Sequence, residues 1–161
     1  MLNFYFKDTI ESFLVKSTEE IIGAITMSNQ FDANINQKKS WEEQIPILKS
    51  ALAGFNGTIY FEFSIPRLGK RIDVLLIIDN VVFVIEFKVG EKKFLQYQID
   101  QVYDYALDLK NFHKPSHDVV IAPILISTEA QYSFISIETT SHNDKLIRPI
   151  RIGRDYLKKA I

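Results

Sequence analysis

Two apolar runs joined by only two residues constrain this chain more than any other feature of its sequence. RIDVLLII (71–78) and VVFVIEFK (81–88) are rich in β-branched residues and flank Asp79-Asn80. A two-residue connection of this type closes a tight β-hairpin. The sequence therefore predicts an antiparallel pair of strands whose register is fixed by its loop.

The register of this hairpin brings two acidic residues together. Counting back from the loop, Asp73 directly faces Glu86, and the Cβ atoms of facing residues lie roughly 4.5–5.5 Å apart. Like charges in such positions destabilise a β-ladder, and a divalent cation bound between the two carboxylates would remove the repulsion. Lys88 leaves the same face of the sheet two residues after Glu86. The alternative is a structural hairpin in which Lys88 forms a salt bridge with one of the acids.

The segments around the hairpin alternate between helical and strand patterns. A capping box at Ser40 is followed by apolar residues at helical spacing, and TIYFEFSI (58–65) alternates with a period of two. Residues 94–112 are predicted as a helix, and 118–128 as a centre strand because it is apolar throughout. The apolar face of the first helix consists of Trp41, Ile45, Leu48 and Leu52.

This order of elements predicts an α/β fold with a mixed central sheet flanked by helices. Further helices are expected in residues 8–15 and after a capping box at Ser17, and YSFISIE (132–138) is a candidate edge strand. We divide the chain into an N-terminal helical extension, 1–39, and one compact unit, 40–161. Its basic C-terminal end suggests a fragment of a longer protein.

Composition excludes several classes of site. The chain has no cysteine, which excludes thiol catalysis and thiolate metal ligation, and its net charge of -1 excludes a globally basic surface. No stretch approaches the ~20 apolar residues of a membrane-spanning helix, and the N-terminus does not read as a signal peptide. We expect a cytoplasmic protein with no membrane association.

The carboxylates and lysine of the hairpin form the pattern D-x(n)-E-x-K. In the context of residues 40–128, this pattern resembles the PD-(D/E)xK nuclease superfamily, whose restriction-endonuclease-like core is α-β-β-β-α-β. The resemblance implies that Asp73 and Glu86 bind Mg²⁺ or Mn²⁺, with the carbonyl of Phe87 as a further ligand. It also implies that Lys88 assists the attacking water. Ile72 stands where the superfamily pattern has proline.

A second motif lies on the helix after the hairpin. Gln101 and Tyr105 form a Q-x-x-x-Y spacing that resembles the RecB-type branch of these nucleases, and residues four apart share a helix face. They would position the substrate or the lysine, or else serve as structural hydrogen-bond partners. IPRLGKRIDVLL, VIEFKVG and YALDLKNFH also resemble the N-terminal, nuclease-like region of bacterial Schlafen-like helicases. Since the sequence has no Walker motif, a helicase motor would lie elsewhere in the same chain or in an associated one.

Other candidate residues surround this centre. Glu42 flanks the apolar helix face and is favoured over Glu43 as a third metal ligand, because Glu43 completes the capping box. Glu62 would join the acidic cluster or pair with Arg71, and the sequence does not separate these possibilities. Three bases near the mouth of the hairpin are predicted to contact phosphates: Arg67, Lys70 and Arg71.

These features together predict a Mg²⁺-dependent nuclease that hydrolyses phosphodiester bonds, with DNA expected rather than RNA. The alternative is a non-catalytic module of the same fold that binds nucleic acid or docks a partner. A third possibility is self-assembly through a sheet edge near residues 133–138. Strandedness, endonuclease or exonuclease action, and oligomeric state are left open.

Overall fold

The structure is a computed structural model that describes residues 3–28, 35–66, 68–140 and 144–161. Within these ranges, no helix has the length and apolar character needed to cross a membrane. The described residues form six strands: β1 (Phe6–Thr9), β2 (Thr58–Ser64), β3 (Arg71–Ile78), β4 (Val81–Lys88), β5 (Val120–Ser127) and β6 (Ile150–Ile152). They also form five α-helices: α1 (Ile10–Val15), α2 (Thr18–Ser28), α3 (Ile35–Leu52), α4 (Gln96–Phe112) and α5 (Leu157–Ala160).

All six strands belong to one mixed sheet, in which the spatial order of the strands is their order in the sequence. The pairs β1–β2, β2–β3 and β3–β4 are antiparallel, whereas β4–β5 and β5–β6 are parallel. The predicted α/β class with a mixed central sheet is confirmed. From α3 to β5, the chain also follows the predicted order of helix, three strands, helix and strand. The assignment to the restriction-endonuclease-like fold stays a prediction.

Each face of the sheet has its own hydrophobic core. The first core packs the sheet against the N-terminal helices and α5, and it contains the predicted apolar face of α3, all of it fully buried. The second core packs the opposite face against α4, through Val102, Ala106 and Leu109. The sheet is therefore covered on both faces, which accounts for the nearly continuous apolar sequence of β5.

The N-terminal segment differs from the predicted helical extension. Phe6–Thr9 forms strand β1, which pairs with β2, and Phe6 and Phe13 belong to the first core. The predicted boundary after residue 39 falls inside α3, which begins at Ile35. Ser40 therefore does not cap a helix; its hydroxyl oxygen accepts a hydrogen bond from the Gln44 side chain, 2.8 Å away. The capping box at Ser17 is confirmed, with hydrogen bonds in both directions between Ser17 and Glu20.

The predicted edge strand at residues 132–138 is wrong. This segment is irregular and touches the sheet through an isolated bridge between Phe134 and Arg151, while the edge strand is the three-residue β6. Strands this short are stabilised mainly by their pairing partners, so their own sequence carries little signal.

Two glycines provide a test of this packing. A Cβ at Gly57, where β2 begins, would overlap the carbonyl oxygen of Ile77, whereas a Cβ at Gly23 in α2 would meet open space. We predict that Gly57→Ala lowers the free energy of unfolding by about 1–3 kcal/mol through overpacking. Gly23→Ala should raise it by about 0.5–1 kcal/mol because alanine favours the helix. Urea denaturation of both variants measures the two effects, and a shift of the same sign in both would contradict the packing described.

Candidate functional site

The β3–β4 hairpin has the predicted register along most of its length. The ladder runs from Ile78 opposite Val81 to Val74 opposite Ile85, which places Asp73 and Glu86 next in line. At that point, side chains replace the main-chain ladder. The Asp73 N–H donates to Oε1 of Glu86 at 2.9 Å, and the N–H after Glu86, that of Phe87, donates to Oδ2 of Asp73 at 2.9 Å.

The strands fork at this point because both β2 and β3 change faces. In a regular strand, residues two apart share a face. Phe61 nevertheless lies in the first core and Phe63 in the second, and between them Glu62 has a φ of 54°, in the left-handed region. On β3, Ile72 and Val74 are divided in the same way. The predicted period of two therefore holds in β2 only up to Phe61.

The two carboxyl groups at the fork are held in a low-dielectric environment. Glu86 is buried, and Asp73 is the more accessible of the two. Burial is the largest cause that raises the pKa of Asp73, and burial followed by the charge of Asp73 raises the pKa of Glu86 well above its ordinary value. The interaction between the two side chains lowers the pKa of Asp73 and raises that of Glu86, which favours a single proton held between them.

Lys88 faces this pair and is held by the helix beyond it. Its Nζ donates to Oε1 of Gln101 at 2.9 Å, and Nε2 of Gln101 donates to the hydroxyl of Tyr105 at 3.2 Å. The positive charge of Lys88 lowers the pKa of both acids, without outweighing their burial. Among the described ion pairs, none joins Lys88 to an acid, whereas a purely structural hairpin was expected to contain a salt bridge between Lys88 and one of the two acids. The structure thus brings together five of the predicted site residues: Asp73, Glu86, Lys88, Gln101 and Tyr105.

The structure does not bring Glu42 to the acidic pair. Glu42 is exposed and lines a surface groove between α2 and α3, whereas its neighbour Trp41 is buried in the first core. Glu43, the other candidate, pairs with Arg154 at 3.1 Å.

Glu62 is the acid that accompanies the pair. Its carboxylate accepts a hydrogen bond from the indole N–H of Trp41 at 3.2 Å, and it is only 7% exposed. Burial, and secondly the charge of Asp73, raises the pKa of Glu62 to about 7, while Arg71 opposes this effect. Glu62 therefore lies near both groups that the sequence offered as its partners. Its left-handed backbone, which gives it this position, has no signature in the sequence.

The predicted phosphate-contacting bases are partly engaged within the protein. Nζ of Lys70 forms an ion pair with Asp108 on α4 at 3.0 Å, and the guanidinium of Arg71 lies 4.1 Å from the ring centre of Tyr5. Arg67 lies outside the described residues.

A groove of about 320 Å³ opens beside the Lys88–Gln101–Tyr105 chain. Tyr97, Asp100 and Asp104 were not among the predicted site residues, although their spacing on α4 places them on the face of Gln101 and Tyr105. The groove is lined by Lys70, Tyr97, Asp100, Gln101, Asp104 and Tyr105.

The acidic pair fits a divalent cation by its chemistry. Within the described ranges, no group of three or more acidic, histidine or cysteine side chains is arranged to hold a metal ion. Mg²⁺ needs fewer protein ligands than that, since it is commonly bound through one or two carboxylates and keeps several waters. Asp73 and Glu86 supply two carboxylates, and the main chain of Phe87 lies against Asp73. A cation would take the place of the shared proton.

Comparison with known proteins assigns no family. No protein family and no curated protein matches the chain. Among solved structures, protein VC1899 from Vibrio cholerae aligns with 90% of this chain at 13% sequence identity and a TM-score of 0.37. The chain spans 41% of the length of that protein. A match this distant carries no argument about the site.

The raised pKa values of the acidic pair predict an unusual dependence of stability on pH. In the absence of metal, the folded protein retains protons that the unfolded chain releases around the ordinary pKa values of 3.8 and 4.5. Its free energy of unfolding should therefore fall as the pH rises above that range. Glu86→Gln, which keeps an acceptor for the Asp73 N–H, should flatten this dependence and stabilise the protein at pH 8 by about 1–3 kcal/mol. Urea denaturation across this pH range in EDTA tests both effects. Equal slopes for the two proteins would contradict the shared proton.

Proposed function

We propose that the protein is a metal-dependent phosphodiesterase that acts on nucleic acid. The observation that carries the proposal is the fork itself, where the buried carboxyl group of Glu86 and the partly buried one of Asp73 accept main-chain N–H groups opposite a lysine held by Gln101. Few structural roles account for such an arrangement, since paired buried acids destabilise a sheet unless a proton or a cation neutralises them. The resemblance to the PD-(D/E)xK nucleases, drawn from the same residues, supports this interpretation.

Asp73, Glu86 and the carbonyl of Phe87 would hold Mg²⁺ or Mn²⁺. The bound cation supplies a water of lowered pKa and neutralises charge on the scissile phosphate. The side chain of Asp73, which is the more accessible, would face the substrate. Glu86, buried behind it, would fix its orientation through the Asp73 N–H.

Lys88 would orient or deprotonate the attacking water and stabilise the negative charge that develops on the phosphate. Gln101 accepts one of the ammonium protons and thereby aims the side chain, and Tyr105 holds the Gln101 amide in place. In this arrangement, Lys88 acts on the substrate, while Gln101 and Tyr105 are positioning residues. The groove that they line beside α4 would receive part of the substrate.

The overall charge fits a module of a larger machine. At a net charge of -1, and with Lys70 paired to Asp108, the protein offers few free cations for the phosphates of a long duplex. We therefore propose that a helicase motor, in the same or an associated chain, delivers the nucleic acid. DNA is the expected substrate.

Removing the lysine tests the catalytic role. Lys88→Met should lower the rate of Mg²⁺- or Mn²⁺-dependent cleavage of labelled DNA or RNA about 10²–10³-fold, as expected for the loss of one transition-state donor. Lys114→Met removes the same charge from an exposed site beyond the C-terminal end of α4 and should leave the rate unchanged. Equal cleavage by wild type and Lys88→Met would contradict the assigned role. Binding of nucleic acid without any cleavage would favour the non-catalytic module.

Metal binding can be tested without cleavage. Because a cation would displace the proton shared by Asp73 and Glu86, titration with Mg²⁺ or Mn²⁺ near neutral pH should release protons. Calorimetry in two buffers of different ionisation enthalpy measures this release as a difference in apparent binding heat. Glu86→Gln should weaken binding and reduce the release. Binding with no buffer dependence would contradict the displacement of a shared proton.

A further inference from the structure

Three aromatic rings, from the segments that follow β4 and β5 in the sequence, form a cluster that is partly exposed. The ring centre of Tyr132 lies 5.4 Å from that of Phe94 and 5.5 Å from that of Phe134, and the centres of Phe94 and Phe134 are 6.3 Å apart. All three pairs pack edge to face. Tyr132 is 45% and Phe134 48% exposed, so both rings offer surface to a ligand. We call these three residues the aromatic cluster.

The sheet register connects this cluster to the acidic pair. Glu86 is paired with Leu125, Leu125 with Arg151, and Arg151 with Phe134. Residues paired across neighbouring strands project from the same face of a sheet. With about 4.8 Å between strands, the main chain of Arg151 lies about 10 Å from that of Glu86, and that of Phe134 about one strand further. The carboxylates and the aromatic cluster therefore occupy one face and one row of the sheet.

The second connection runs through the segment after β4. The hydroxyl of Ser127, whose register partner is Lys88, donates to the carbonyl oxygen of Lys93 at 2.8 Å. This bond holds the residue just before Phe94 close to the end of β5. One end of the cluster is thus anchored next to the strand that carries the catalytic lysine.

Three positively charged residues lie next to the rings in space or in sequence. The guanidinium of Arg151 lies 4.2 Å from the ring centre of Phe134, and Lys92 and Lys93 are exposed just before Phe94. Glu129, the acid closest in sequence to Tyr132, pairs with Arg154 at 3.1 Å. An aromatic surface bordered by free cations is complementary to a polyanion whose units carry flat apolar rings.

The backbone beneath the rings is fixed. The Phe134 N–H donates to the Arg151 carbonyl at 2.7 Å, and the Arg151 N–H donates back at 3.2 Å. The Glu129 N–H donates to the carbonyl of Glu91 at 2.9 Å, which ties the loop after β5 to the loop after β4. A ligand that stacks on these rings would therefore order little additional chain on binding.

From these observations we propose that the aromatic cluster binds unpaired bases of single-stranded nucleic acid and leads that strand toward the acidic pair. The inference rests on the proposed function and makes it more specific, because it names a single strand as the substrate. Bases in a duplex are stacked on one another and cannot lie on protein rings, whereas every unpaired base offers a flat face. Arg151 and the two lysines would contact the phosphates between the stacked bases.

The experiment measures binding in EDTA, so that it does not depend on cleavage. Fluorescence anisotropy compares one labelled oligonucleotide, as single-stranded DNA and as single-stranded RNA, with its duplex. Wild type should bind both single strands more tightly than the duplex. Tyr132→Leu and Phe134→Leu keep an apolar side chain without a ring and should weaken single-strand binding about tenfold each. Tyr132→Phe restores a ring and should bind like wild type.

Ile137→Ala is the matched control, because Ile137 is 66% exposed in the same loop and has no ring. It should leave affinity unchanged. Tighter binding of the duplex, or equal affinity of the leucine variants and wild type, would overturn the inference. Single-strand binding that depends on the rings, in a protein without metal-dependent cleavage, would support it while rejecting the nuclease proposal. Metal-dependent cleavage, together with single-strand affinity that the leucine substitutions do not change, would support the nuclease proposal and overturn the inference about the aromatic cluster.

A second measurement covers the case in which the leucine variants fail to fold. Wild-type protein is photocrosslinked to an oligonucleotide that contains 5-iodouracil, and the adducts are located by peptide mapping. Adducts at Phe94 or in residues 132–134 are expected, since halogenated bases crosslink efficiently to rings that stack on them. Adducts confined to other parts of the chain would overturn the inference.

Discussion

The arrangement of the site depends on one exchange of hydrogen-bond partners. Where β3 and β4 separate, the carboxylates of Asp73 and Glu86 accept main-chain N–H groups, one from each strand. Buried N–H groups need hydrogen-bond acceptors, and where the main-chain ladder ends the two carboxylates supply them. The carboxylates can do so only because the two strands separate at this point. The shared proton makes this exchange tolerable in a low-dielectric interior, and a cation would do the same with a larger charge.

The sequence was sufficient to predict the hairpin, its register and the faces of α3 and α4. These features follow from periodicity and from a two-residue loop that permits one alignment, so local sequence determines them. The grouping of Asp73, Glu86 and Lys88 follows from the same two rules, whereas Gln101 and Tyr105 were assigned to the site by the resemblance to RecB-type nucleases. β1 and β6 were not predicted because strands of four and three residues have too few positions to show a period.

The identity of the third acid near the pair could not be predicted from local sequence patterns. Glu42 was favoured over Glu43 because a capping box seemed to begin α3 at Ser40, but Glu42 lies on the flank of α3 that faces α2 and not the acidic pair. Glu62 reaches the site because its own φ is 54°, a conformation in which a glutamate is uncommon. The burial of Trp41 against the sheet supplies its hydrogen-bond partner. Tertiary packing fixes the left-handed backbone of Glu62, which the residue type alone does not predict.

The electrostatics of α4 restrict how a nucleic acid could approach. Asp100 and Asp104 line the groove beside Lys88, and Asp108 occupies Lys70, so this side of the site is acidic rather than basic. A long duplex held by many phosphate contacts would meet repulsion there. On the proposed function, base stacking would add to the phosphate contacts made on the side of the aromatic cluster. The aromatic cluster lies at the far end of the row that runs from Glu86 through Leu125 to Arg151, where Arg151 and the exposed lysines supply positive charge.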